Sequence, residues 1–131
     1  MKWIKAPEGK ITEHFSWDEA ACHCCGNVPN VDEVIKTAEW LERVRAILGC
    51  PIRVLSWCRC SKKNAATVGA AKNSYHLKGV AVDIACKIYS PAKVQKLLAA
   101  YQGVGKLIGG MGSYLGFTHI DRRKKAAIWE E

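Results

Sequence analysis

Between Val31 and Leu48 the apolar residues Val34, Ile35, Ala38, Leu41, Val44, Ile47 and Leu48 recur at helical spacing, with acidic and basic residues on the other face. The pattern predicts the longest helix of the chain, capped by Asn30 and stopped by Gly49. Ser16 followed three residues later by Glu19 is a capping-box signal, so a short helix is predicted to start there and run toward the cysteines at 22–25. Gly26 and Pro29 interrupt the chain before Asn30. After Pro51 the run Ile52–Trp57 predicts a strand, and Ser61–Gly69 a brief helix followed by a loop, Gly69 to Tyr75. Val80–Ala85 is apolar and compact, as a buried strand would be. Ser90-Pro91 opens a helix running through Val94, Leu97, Leu98 and Tyr101 to Gly103. Lys106–Asp121 predicts two strands joined by a glycine-containing turn, and the last ten residues predict a helix closed by Ile128 and Trp129. The order is helix-rich first and strand-rich later, which gives an α+β class with a small antiparallel sheet and flanking helices.

A length of 131 residues fits one domain, 1–131, without internal repeats. The net charge of +8 attracts polyanions: nucleic acid, anionic lipid, or the acidic polymers of a bacterial envelope. The basic residues are scattered, and the cluster Arg122–Lys125 lacks a companion motif of stacking aromatics, so direct nucleic-acid recognition is not expected. The charged N-terminus contains no apolar run of a signal peptide, and no transmembrane segment is evident. Synthesis in a cytoplasm is therefore expected. Seven cysteines are many for this length: Cys22, Cys24 and Cys25 around His23, the pair Cys58 and Cys60, and the lone Cys50 and Cys86. No paired C-x2-C ribbon is present, so reduced thiols are the favoured reading, with a disulfide or small metal site at Cys22–Cys25 as the alternative.

The candidate chemistry begins with His76 and Asp83, seven residues apart across Gly79, and with His119 in the run Gly116–Asp121. On a strand, His119 and Asp121 point to the same face. Two imidazoles and a carboxylate suit zinc with one position left to water, which then becomes a nucleophile near neutral pH. Taken singly, a histidine or an aspartate is more often a surface or capping residue. The glycines Gly109, Gly110 and Gly112 resemble a phosphate loop only superficially, because no helix start follows them.

Five segments change this picture when taken together: Leu55-Ser-Trp-Cys-Arg59, Asn64-Ala-Ala-Thr-Val-Gly69, Ser74-Tyr-His-Leu-Lys-Gly-Val-Ala-Val-Asp83, Gly110-Met-Gly-Ser-Tyr114 and Phe117-Thr-His-Ile-Asp121. In order and spacing they resemble the zinc D-Ala-D-Ala carboxypeptidase/endopeptidase family of cell-wall peptidases, its VanY-like, phage endolysin-type branch. The early His14–Ala20 segment is similar too, so the resemblance covers nearly the whole chain. It implies a Hedgehog/D-Ala-D-Ala peptidase-like fold with the zinc site on the sheet. It further implies one catalytic Zn2+ on His76, Asp83 and His119, with Arg59 holding substrate and steadying the carbonyl oxygen. Ser74 and Tyr114 would line or brace the site. Family members carry a Glu three residues before the last ligand, or a second His two before it; here Gly116 and Phe117 stand there. Asp121 is then the nearest acid, either as catalytic base or as the partner that holds His119.

The implied partner is a peptidoglycan peptide, cut by a bacteriolytic monomer acting at the bacterial cell wall after holin-type release. The rival reading is a non-catalytic zinc-containing wall-binding module of the same fold. Cysteines at positions like 22–25 occur in some phage-derived relatives, where they look structural.

Overall fold

The computed structural model describes residues 3–67, 74–101 and 107–130. Two short strands, β1 (Ile4–Lys5) and β2 (Asn27–Val28), pair antiparallel and close off the N-terminal segment. Between them lies α1 (Trp17–Ala20), a single turn with both hydrogen bonds of the Ser16/Glu19 capping box formed. It stops at Ala21, before the cysteines. The long helix α2 (Val31–Leu48) has the predicted ends: Asn30 Oδ1 accepts from the Glu33 N–H, and Gly49 turns the chain at φ +68°.

Next come β3 (Arg53–Ser56), α3 (Ser61–Ala66), a 3-10 turn at Tyr75–Lys78, β4 (Ala81–Ala85) and α4 (Pro91–Tyr101). The C-terminal part supplies β5 (Gly110–Ser113), β6 (Thr118–Asp121) and β7 (Ala127–Glu130). The end of the expected brief helix at Gly69, most of the loop to Tyr75, and the expected stop at Gly103 fall outside the described residues. Among the described residues the main sheet has the order β3-β4-β6-β5-β7. Its pairings are antiparallel except at the edge, where β7 runs parallel to β5.

That edge corrects the expectation of a C-terminal helix. A ten-residue tail cannot hold a helix without a packing face. The open edge of β5 instead offers unpaired backbone groups, and Ala127–Glu130 takes them in register with Gly110–Ser113. The β1–β2 pair was likewise unpredicted, because two-residue strands carry no periodic signal.

Alternation then sorts the sheet into two faces. Val82, Ile84, Met111 and Ile120 are fully buried and join Val34, Ala38, Leu41 and Val44 of α2 and Val94 and Leu98 of α4 in one apolar core. The cross-strand partners Asp83 and His119, with Asp121 and its partner Gly110, therefore stand on the opposite face. Among the described residues, no helix is long and apolar enough to cross a membrane.

Candidate metal centre

His76 reaches the site on the 3-10 turn. Ser74 Oγ accepts from the His76 N–H at 3.2 Å to start the turn, and Gly79 ends it at φ +74°. A side chain at Gly79 would be strained by that φ and would approach Val34 Cγ2 to 3.1 Å, so glycine is required here. The imidazole is 1% exposed. Its Nδ1 lies 2.7 Å from the Trp57 carbonyl oxygen. A carbonyl only accepts, so Nδ1 carries the proton and Nε2 presents its lone pair to the site. Trp57 is fixed in turn, since its indole N–H donates to the Gly79 carbonyl at 3.1 Å.

Asp83 and His119 are direct partners across β4 and β6. Asp83 Oδ1 lies 3.2 Å from His76 Nε2 and 3.0 Å from His119 Nδ1. Burial alone would raise the Asp83 carboxyl, but hydrogen bonding with His119 and His76, and their charge, hold it well below the ordinary carboxylate range. Each of the three residues offers a ligand atom, all within 4.8 Å of one another.

His119 is held from behind. Its Nε2 lies 2.8 Å from Asp121 Oδ2, and Asp121 is fully buried. Arg123 donates to the same carboxylate three times: from its backbone N–H at 3.1 Å, Nε at 2.9 Å and NH2 at 2.7 Å. Burial pushes the Asp121 carboxyl up, and the bonds from His119 and Arg123 overcome it and hold the group well below its ordinary value. Burial likewise depresses His119, but Asp121 and Asp83 more than offset it, so its basicity is raised.

Two glycines make this packing possible. A Cβ on Gly110 would come within 2.4 Å of Arg123 Nε and 2.5 Å of Asp121 Oδ2. One on Gly112 would meet Trp129 Nε1 at 2.3 Å. With both side chains absent, Arg123 and Trp129 cover the site face. Trp129 lies 5.4 Å from His119 by ring centroids and donates its indole N–H to Tyr114 Oη at 2.9 Å. The Arg123 guanidinium lies between the Tyr75 and Trp129 rings, 4.6 Å and 5.0 Å from their centroids.

Arg59 follows Trp57 and Cys58 and is nearly buried. Its backbone N–H donates to the His76 carbonyl at 3.1 Å, and its guanidinium NH2 donates to Ser74 Oγ at 3.2 Å. Among the described residues, its buried Nε has no hydrogen-bond partner. Desolvation lowers the guanidinium from its usual value, and the charges of Asp83 and then Tyr114 act the other way.

The structure thus gathers His76, Asp83, His119 and Asp121 into one cluster, ties Arg59 to it through Ser74, and joins Tyr114 to it through Trp129. The other two histidines do not belong to it: His14 bonds Glu42 at 2.6 Å, and His23 is exposed. Gly116 stands in an exposed turn with open space where a Cβ would be. Sequence reasoning missed Trp57, Arg123 and Trp129. The trace of Arg123 and Trp129 was the glycine pair at 110 and 112, spaced like the face-sharing pair His119 and Asp121, while Trp57 stood unassigned within the Leu55–Arg59 segment.

Two imidazole nitrogens and a carboxylate oxygen, each imidazole bonded on its other side to a carbonyl or carboxylate, are a donor set that suits a zinc ion. The chain belongs to the peptidase M15 family, whose model matches residues 13–121. M15 peptidases are zinc-dependent, and the cluster fits that ion. The match ends at Asp121, so Arg123 and Trp129 lie beyond it. No curated protein and no solved structure matches the chain.

Proposed function

We propose that this chain is a peptidoglycan peptidase of endolysin type, hydrolysing an amide bond in the stem peptide or its cross-link. The convergence of His76 Nε2, Asp83 Oδ1 and His119 Nδ1 beside the buried Arg59 carries the reading. These three atoms would hold one zinc ion, which, when bound, acidifies a water to a pKa of about 7 and polarises a carbonyl.

The chain's own residues prepare the rest. The Trp57 carbonyl and the Asp121 carboxylate orient the two imidazoles and set which nitrogen faces the metal. Arg59 is braced by Ser74 through NH2, and its guanidinium, within reach of the Asp83 charge, would steady a substrate carboxylate or the oxygen of the scissile carbonyl. A guanidinium is suited to this because its donors are fixed and permanently charged. Asp121 already accepts from His119 and three times from Arg123, so its part is to hold His119 rather than to take the water's proton. The net charge of +8 favours an anionic wall over a neutral substrate.

Chelation and reconstitution test the reading. The metal-stripped chain should leave purified sacculi intact, and added zinc should restore release of new amino groups. Equal release by the stripped chain, or by zinc-supplied His76→Ala, would show that another site does the chemistry.

A further inference from the structure

A second group of soft donors lies outside the histidine cluster. Cys22, Cys25 and Cys60 bring their sulfurs within 4.8 Å of one another, although Cys60 is 38 residues from Cys22. The first two belong to a C-x2-C-G stretch, Cys22-His-Cys-Cys-Gly26, folded as a closed turn. The Cys22 N–H donates to the Asn27 carbonyl at 3.0 Å, the Gly26 N–H donates to the Cys22 carbonyl at 2.7 Å, and Gly26 adopts φ +73°. The turn sets two sulfurs three residues apart on one side. The third caps the start of α3: the Cys60 N–H donates to Cys22 Sγ at 3.4 Å, and Cys60 Sγ accepts from the Lys63 N–H at 3.4 Å.

We propose that Cys22, Cys25 and Cys60 form a second metal site, a three-thiolate site for zinc distinct from the histidine centre. Tetrahedral zinc with Zn–S bonds of about 2.3 Å separates its sulfurs by roughly 3.8 Å, and the three sulfurs here lie within 4.8 Å of one another. A disulfide would join two of the three and leave the third thiol stranded. Backbone N–H groups directed at sulfur favour the thiolate, the form a metal takes. Cys25 is exposed, so a water or a further donor can complete the fourth position. Binding displaces the remaining thiol protons to solvent and involves no redox change. The ion would also tie the N-terminal turn to the residue after Arg59, whose neighbour Cys58 already donates its N–H to the Ala20 carbonyl at 3.1 Å.

Cobalt reports the two sites separately, because only sulfur ligands give intense thiolate-to-cobalt absorption in the near ultraviolet. The reduced, metal-free full chain titrated with Co2+ should develop that band, His76→Ala should keep it, and Cys25→Ser should lose most of it. Native mass spectrometry of the zinc-loaded wild type should show two ions per chain, with one remaining in His76→Ala. The wild-type measurements decide the matter even if Cys25→Ser fails to fold. A wild type without the thiolate band, or with one zinc that disappears in His76→Ala, would overturn the second site and leave the histidine centre standing.

Discussion

Asp121 grips His119 from the side away from Asp83: its Oδ2 lies 2.8 Å from His119 Nε2, while Asp83 Oδ1 lies 3.0 Å from Nδ1 of the same ring. One imidazole is thus held between two carboxylates, and only the Asp83 side faces His76. Asp121→Asn separates the two roles open to this acid. As an orienting partner, its loss should weaken zinc binding about 10–100-fold, with most of the turnover returning at saturating zinc. A collapse of kcat that persists at saturating zinc would make Asp121 the base instead.

Arg59 is proposed to act on substrate through its guanidinium, which Ser74 braces. Arg59→Ala should lower kcat by about 10²–10³ without changing the zinc content, as removal of one oxyanion donor does elsewhere. Arg59→Lys should recover little, because an ammonium does not reproduce the planar fork. A change in KM alone would restrict Arg59 to substrate binding.

Gly112 leaves the space that the Trp129 indole fills. In Gly112→Ala the new carbon would stand 2.3 Å from Trp129 Nε1, so the indole must leave its place beside His119. Overpacking of this kind costs about 1–3 kcal/mol. The expected result is a shift in tryptophan fluorescence, a loss of stability in that range and weaker zinc binding. An unchanged spectrum would mean that Trp129 does not cover the site in solution.

These relationships mark how far the sequence could be read. Elements with local punctuation were legible: Asn30 and Gly49 bound α2, and the Ser16/Glu19 box starts α1, because a cap is a contact between near neighbours. The grouping of His76, Asp83 and His119 was legible through spacing and family resemblance. The strand at Ala127–Glu130 was not, since its reason for being a strand is the free edge of β5. Gly110 and Gly112 looked like a weak loop signal; their meaning is the space that Arg123 and Trp129 occupy, which only the tertiary packing reveals.

Away from the site, Glu42 ties the N-terminal segment to α2 by accepting from Thr12 Oγ1 at 2.7 Å and from His14 through both its backbone N–H, at 2.7 Å, and its ring, at 2.6 Å. Burial pushes the Glu42 carboxyl up, but the His14 and Thr12 bonds prevail and leave it lowered. A carboxyl lowered on folding adds stability above its unfolded value, and that stability is lost as pH falls through the folded one. Denaturant titration of Glu42→Gln should therefore show a deficit of about 1 kcal/mol at neutral pH that shrinks below roughly pH 4. A deficit independent of pH would contradict the charged form as its source.

The most direct measurement is mass spectrometry of muropeptides from purified sacculi after digestion with the zinc-loaded chain. The expected result is a new set of products whose masses sum pairwise to the parent muropeptide plus one water, all cut at a single type of amide bond, formed by the wild type and not by His119→Ala. A wild type carrying zinc in its histidine centre that leaves muropeptides from several bacterial sources unchanged would contradict peptidoglycan hydrolysis and favour the wall-binding reading.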